Sequence, residues 1–232
     1  MHLTPASREL LAALAERPWS DDFYLAGSAA LALHLCHRPV RDLDLMSTGN
    51  TLASQHRRDL MEDLLRFDPK LRVETARDGY LSTRTGFGSE ETGHCGLKFF
   101  YYPYPQIESH DHHAGLAVSS LMDLGLMKVG AIISRGSWRD FLDLFLICRR
   151  IPLDDLLACS NQKFPHVRDF PLQALKGLAD RSTARRQPFP EMAHPDSGNT
   201  LQREEIESWF DDQVRRLGRA HVGLDWHPPE TP

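Results

Sequence analysis

The chain has 232 residues, of which 41% are hydrophobic and 25% charged, enough for one large domain or two small ones with a buried core. Its net charge of −5 argues against a whole surface built for nucleic acid, and no apolar run is long enough to span a membrane. The N-terminus lacks a signal-peptide pattern and the four cysteines lack CxxC spacing, so we expect reduced thiols in a cytoplasmic protein.

The chain opens with a predicted helix and a predicted strand. Leu10, Leu11 and Leu14 recur at helical spacing, which predicts a helix over residues 4–17. Residues 23–26 form a short apolar run with two aromatic side chains, which is typical of a buried strand.

A glycine follows that strand directly. Gly27 allows a sharp turn and the close approach of a ligand to the backbone. Ser28 is expected to cap a helix over residues 29–35, and Pro39 lies just beyond the point where that helix must end. The start of such a helix offers backbone N–H groups to a phosphate.

Two carboxylates come next, on a second predicted strand over residues 41–46. Asp42 and Asp44 are two apart, so they share one face, while Leu43 and Leu45 point into the core. Oxygen ligands suit Mg²⁺, which makes the pair a candidate metal site. The alternative is a pair of solvent-facing residues on an edge strand.

The next part of the chain extends the sheet. We expect a helix over 52–67, strands over 71–75, 80–85 and 96–102, and loops over 86–93 and 103–115. The last of these strands carries Lys98, and Glu74 is the only acid within the later strands. Crowded histidines at 110–113 are interpreted as an exposed loop and not as a zinc site.

A helical hairpin follows. Capping patterns predict helices that begin near residues 120 and 137, with Gly136 between them. Lys128 and Asp143 are almost equally far from Gly136, so they can meet across the hairpin, and Asp140 can serve as the cap of the second helix. An ordinary interhelical ion pair would explain the same spacing. Beyond the hairpin we expect a helix at 201–217 and a disordered tail at 227–232.

These motifs carry a family resemblance. The stretch LAGSAALALHLCHRPVRDLDLMS resembles the Gly-Ser and DxD signature of the polymerase-beta-like nucleotidyltransferase superfamily, and more closely that of the AbiEii/AbiGii-type nucleotidyltransferase toxins. The stretch MDLGLMKVGAIISRGSWRDFLDLFLI is similar to the family's second signature, and residues 151–193 resemble its closing segment. Asp180-Arg181-Ser182 stands where relatives usually have paired acids.

The resemblance implies an α/β fold and a set of site residues. A nucleotidyltransferase domain with a mixed sheet would cover 1–115, and a helical domain would cover 116–232. The implied catalytic residues are Asp42, Asp44, Lys128 and Asp143, with Mg²⁺ on the two strand acids. The implied nucleotide-binding residues are Gly27, Ser28, Arg38 and Lys128.

The resemblance also implies an activity. The chain would transfer a nucleotide monophosphate from an NTP to an acceptor hydroxyl, with RNA or tRNA as acceptor, as a toxin with a cognate antitoxin. Two departures from relatives bear on this: Ser28 and Ala29 stand where many relatives have Gly-Thr, and Val40 replaces a Ser or Thr that lies at the nucleotide site in relatives. Many polymerase-like enzymes also place a third acid on a later strand, where this chain offers Lys98. A small-molecule acceptor, or a non-catalytic nucleotide- or partner-binding module, is the alternative.

Overall fold

The computed structural model describes residues 3–91, 93–192 and 198–221. The chain forms two compact units that meet in sequence between Leu124 and Gly125. The tail predicted at 227–232 lies outside the described residues. Among the residues described, no helix is long and apolar enough to cross a membrane.

In its described residues the first unit has an α/β arrangement of three complete helices and seven strands. Its helices are α1 (Pro5–Ala15), α2 (Gly27–Leu35) and α3 (Ser54–Phe67), with a 3-10 turn at Ser20–Asp22. Its strands are β1 (Tyr24–Ala26), β2 (Leu43–Ser47), β3 (Arg72–Arg77), β4 (Tyr80–Ser89), β5 (Gly93–Tyr101), β6 (Asp111–His113) and β7 (Leu116–Val118).

The strands form one mixed sheet in the order β3-β4-β5-β2-β1-β7-β6. β2 runs antiparallel to β1 and parallel to β5, so the strand after the glycine turn lies in the middle of the sheet. Helix α2 packs on β1 and β2, and α1 packs on β4, β5 and β7. The predicted mixed sheet flanked by helices is confirmed.

Local sequence explains the early elements. The side chain of Thr4 accepts a hydrogen bond from the backbone N–H of Ser7 and caps α1, whose leucines at 10, 11 and 14 are fully buried. In α3 the leucines at 60 and 64 are buried as their spacing predicts. The next residue, Leu65, is 45% exposed, since consecutive residues of a helix are turned by about 100° from each other.

Two predicted loops are partly strand. The segment 86–93 was expected to be a loop, but β4 continues to Ser89 and β5 begins at Gly93, with Gly88 and Gly93 both at positive φ near the turn. The segment 103–115 contains β6, which pairs with β7. The sequence did not predict β6, because this strand is short and polar and lacks apolar alternation.

The second unit is helical. Helix α4 (Leu121–Ser134) begins before the boundary and continues into this unit, followed by α5 (Trp138–Cys148), α6 (Leu153–Ala158), α7 (Ser160–Lys163), α8 (Phe170–Ala179), α9 (Ser182–Arg185) and α10 (Arg203–His221). Aromatic rings of α5 and α10 form its core: Phe141 packs edge-on against Phe210, and Phe145 against Trp209. The hairpin predicted from the capping patterns is present as α4 and α5.

Candidate active site

The glycine turn ends β1 and begins α2. Gly27 has φ +62°, a conformation that L side chains rarely adopt, and a Cβ placed there would lie 2.5 Å from Oδ2 of Asp44. Only glycine therefore lets the first turn of α2 approach the carboxylate so closely. The helix begins at Gly27 with Ala26 as its N-cap, so the expected cap by Ser28 is wrong.

Ser28 has a different contact. Its hydroxyl accepts a hydrogen bond of 2.8 Å from the guanidinium of Arg38. Because Ser28 lies in the first turn of α2, this contact holds a positive charge next to the N-terminus of the helix. Gly27, Ser28 and Arg38, the three predicted nucleotide-binding residues of this unit, are therefore brought together.

The two predicted metal ligands lie at the start of β2. Leu43 and Leu45 are fully buried while Asp44 is partly exposed, as the alternation predicts. Asp42 directly precedes the strand, and its side chain is 50% exposed. Its Oδ1 accepts a hydrogen bond of 3.0 Å from the backbone N–H of Gly96.

A lysine of the neighbouring strand faces this pair. Lys98 is the register partner of Asp44 between the parallel strands β2 and β5. Its Nζ lies 3.5 Å from Oδ2 of Asp42. Sequence reasoning noted the lysine only as the lack of a third acid, because the register between strands more than 50 residues apart has no local sequence signal.

Glu74, on the edge strand β3, has other partners. Glu74 accepts hydrogen bonds from the guanidinium of Arg84, at 2.9 and 3.1 Å, and from the hydroxyl of Ser82 at 3.1 Å. These contacts, the arginine first, hold the pKa of Glu74 below its ordinary value. Glu74 is thus paired with residues of the adjacent strand β4.

The donor set fits one hard cation. Within the described part of the chain no three His, Cys, Asp or Glu side chains gather as a metal cluster, and this includes the histidines at 110–113. Mg²⁺ is usually held by one or two carboxylates together with waters and substrate phosphates. Asp42 and Asp44, beside a helix N-terminus that can receive phosphate, match that requirement.

The second unit holds a buried cation between two carboxylates. The Nζ of Lys128 lies 2.6 Å from Oδ2 of Asp143 and 3.3 Å from Oδ1 of Asp140. The Lys128 side chain is 10% exposed, and that of Asp143 is 0% exposed. The meeting of Lys128 and Asp143 across the hairpin, predicted from their distances to Gly136, is therefore observed.

Asp140 does more than the helix-cap role expected of it. Ser137 is the N-cap of α5, and its hydroxyl donates to Oδ2 of Asp140 at 2.6 Å. Arg135 donates to both carboxylate oxygens at 2.8 Å. Burial raises the pKa of Asp140, but the contacts with Arg135, Lys128 and Ser137 outweigh burial and leave that pKa below its ordinary value.

Two other sequence features have structural explanations. Val40 is buried, and its carbonyl accepts hydrogen bonds from the backbone N–H of Thr4 and the hydroxyl of Ser7, so its side chain belongs to the core. Three arginines lie close together in sequence at 181, 185 and 186. Arg181 is 4% exposed and paired with Asp211, and Arg185 is paired with Glu207. Arg181 thus lies inside the second unit, and the charge of Arg185, whose side chain is 52% exposed, is offset by Glu207.

A cavity of the first unit lies elsewhere. It has a volume of about 530 Å³ and is lined by residues that include Trp19, Phe23 and Leu60. Phe23 precedes β1, whereas Gly27 follows it, so the cavity lies toward the opposite end of that strand. The two strand acids do not line it.

The helix that starts at the glycine turn, packed beside the two acids at the start of β2 on a mixed sheet, is the arrangement that the resemblance to nucleotidyltransferases predicts. Residues 9–217 match the family model of the nucleotidyl transferase AbiEii toxin of type IV toxin–antitoxin systems. The chain belongs to the AbiEii family of nucleotidyltransferase toxins.

Individual relatives are distant. An uncharacterized protein of Aquifex aeolicus strain VF5 is 26% identical over 222 residues, covering 92% of this chain and 96% of the relative. A protein of H. pylori assigned as a nucleotidyltransferase has a similar fold, with a TM-score of 0.52, 12% identity, and coverage of 97% of this chain and 100% of the other. The nucleotidyltransferase toxin MenT4 of Mycobacterium tuberculosis H37Rv has a TM-score of 0.49 at 14% identity, with 97% of this chain and 87% of MenT4 covered.

Proposed function

We propose that this toxin is a Mg²⁺-dependent enzyme that transfers a nucleoside monophosphate from an NTP to an acceptor hydroxyl on RNA, with tRNA as the foremost acceptor. The observation that carries the proposal is the placement of Asp42 and Asp44 beside the turn at Gly27. A metal ion bound there supplies neutralisation of the charge on the reacting phosphoryl group.

The first unit supplies the groups for the triphosphate. Asp42 and Asp44 provide the oxygen ligands. The backbone N–H groups of Gly27 and Ser28, at the start of α2, donate hydrogen bonds to phosphate oxygens. Arg38, aligned by its hydrogen bond to Ser28, adds a planar cation suited to phosphate.

The role of Lys128 and Asp143 rests on the family resemblance and on the geometry of their own unit. We assign Lys128 to phosphate binding, as a compact ammonium with three donors. Asp143, at 2.6 Å, fixes the position of that ammonium. The family's toxin–antitoxin type also supports a cognate antitoxin as a partner.

The acceptor is the finer part of the proposal. The net charge of −5 argues against a broad nucleic-acid surface. Support for RNA comes from Arg38 and Arg41, two positive charges that precede β2 within a few residues of the two acids. A small-molecule acceptor has no comparable support within the described residues.

The test is transfer of label. The purified protein is incubated with each labelled NTP, Mg²⁺ and total tRNA, beside the Asp42→Ala variant. Label that appears on RNA and is lost in the variant is the expected result, together with growth inhibition on expression that the same variant abolishes. Nucleotide binding in calorimetry without transfer to RNA, protein or small molecules would contradict the proposal and leave a binding module.

A further inference from the structure

We propose that Lys98 occupies the position that a second divalent cation would take beside Asp42, so that this site accepts a single metal ion. The inference deepens the proposed function and rests on its assignment of Asp42 and Asp44 as metal ligands. It concerns a residue of β5 that the family's two signatures, as quoted above, do not include.

The register of the sheet places Lys98 on the same face as Asp44. Lys98 lies opposite Asp44 on β2 and opposite Ser82 on β4. Residues directly opposite each other in a sheet project to the same face, so the ammonium and the carboxylate of Asp44 are on one face. The Lys98 side chain is 32% exposed, and its Nζ lies 3.5 Å from Oδ2 of Asp42.

Both oxygens of the Asp42 carboxylate have contacts with β5. Its Oδ1 is engaged by the N–H of Gly96 at 3.0 Å and its Oδ2 by the ammonium of Lys98 at 3.5 Å. A Cβ at Gly96 would lie 2.9 Å from Cγ of Asp42, so this strand packs tightly against the carboxylate. Asp42 is thus held on the side of β5, and it offers its remaining lone pairs to one cation on the side of Asp44.

The charges at this site disfavour a second divalent ion beside Asp42. In two-metal sites the ions lie about 3.5–4 Å apart. Taken together, the two carboxylates (charge −2) and the ammonium of Lys98 (charge +1) have a net charge of −1. Glu74, an acid of β3 in the same sheet, is engaged by Arg84 and Ser82. A second divalent ion beside Asp42 would meet the ammonium almost in contact, and like charges at that distance repel strongly. Lys98 is therefore a positioning residue that acts through Asp42.

Mn²⁺ binding tests this without nucleotide and without activity. Free Mn²⁺ is measured by electron paramagnetic resonance during titration of the full chain. The wild type is expected to bind one ion. Lys98→Ala is expected to bind one ion about tenfold more tightly, because the competing ammonium is gone. Lys98→Glu is expected to bind close to two ions, because it adds the missing third acid. Arg58→Glu, the same charge change on the exposed face of α3, is the matched control and should behave as the wild type.

Three results of the Mn²⁺ titration would contradict the inference. Two ions on the wild type, no ion on the wild type, or unchanged affinity in Lys98→Ala would each overturn the inference and leave an ordinary surface ion pair. The result is also separable from the proposed function. If the Mn²⁺ pattern holds but no nucleotide is transferred, the activity is wrong and the single-ion site stands. If transfer occurs and the wild type binds two ions, only this inference falls.

Discussion

The two groups of charged residues in this toxin differ in their exposure to solvent and in their balance of charge. At the start of β2 the Asp42 side chain is 50% exposed, and the ammonium of Lys98 lies 3.5 Å from it. In the α4–α5 hairpin, Lys128 is buried between Asp140 and Asp143. With Arg135 included, the hairpin group has two positive and two negative charges and is balanced internally.

The difference separates a site that can gain an ion from one that must exchange a partner. A cation that reaches the pair meets the half-exposed carboxylate of Asp42 and the less exposed carboxylate of Asp44, whose Oδ1 is buried. A phosphate that reaches Lys128 must instead replace at least part of its contact with a carboxylate. The hairpin group therefore contributes to stability before any ligand binds, whereas the strand acids contribute to binding, and mutations should separate the two.

The largest expected effect is that of Asp143→Ala. The substitution leaves Lys128 buried with only the longer contact to Asp140, and breaking a buried ion pair costs about 3–5 kcal/mol. We expect the free energy of unfolding in urea to fall by about that amount.

The double variant Lys128→Met/Asp143→Leu is its matched control. It replaces both charges with apolar groups of similar size, which is often nearly neutral for stability. It should recover most of the stability of the wild type but no nucleotide transfer. Full stability of Asp143→Ala alone would show that the pair contributes little to folding and would contradict the contrast.

The next effect is that of Asp140→Asn, and it depends on pH. Folding lowers the pKa of Asp140 from its ordinary value of 3.8, so its contribution to stability is present above about pH 4 and is lost as the pH falls through the folded pKa. Removing the charge should cost about 1.5–3 kcal/mol near pH 6, the usual value of hydrogen bonds to a charged group. The measurement is urea unfolding of the wild type and the variant between pH 3 and pH 6. The gap between them should close toward the acid end, and a gap that is constant with pH would contradict the assignment.

These regions also differ in how far the sequence predicted them. The hairpin and the strand–turn–helix unit were predictable because their signals are local: a capping pattern at Ser137, glycines at 27 and 136, and alternation at 43–46. The contact of Lys98 with Asp42 was not, because it depends on which strands are neighbours and in what register. Likewise, the contact of Arg135 with Asp140 depends on a side chain that folds back over the turn.

The Ser28 error has a local physical cause. A serine before an Ala- and Leu-rich stretch is a good cap candidate, but the cap position needs an extended backbone. Gly27 already has helical hydrogen bonding at positive φ, so the cap position moves to Ala26. The hydroxyl then becomes available to Arg38.

A smaller effect on stability is expected for Gly27→Ala, with a large effect on activity. The positive φ costs an L residue about 1–2 kcal/mol, and the new Cβ would press on Oδ2 of Asp44. We expect a loss of stability of that order and loss of nucleotide transfer, because the carboxylate must move. Gly218→Ala is the control, since its Cβ would meet nothing within 4 Å and alanine favours the helix it lies in. Transfer by Gly27→Ala at the wild-type rate would show that the close approach of α2 to Asp44 is not required.

The smallest effect on stability, that of Asp42→Asn, is the sharpest test of the contrast. Asparagine keeps an oxygen that can accept from the N–H of Gly96, and the lost ion pair with Lys98 is partly exposed. The free energy of unfolding should therefore stay within about 0.5 kcal/mol of the wild type. Transfer should nevertheless fall by about a hundredfold or more, because the charge that binds the cation is gone. Asp59→Asn, an exposed acid of α3, is the control for charge alone. A loss of stability in Asp42→Asn as large as that of Asp143→Ala would mean that the strand acid is structural, and the distinction between the two groups would fail.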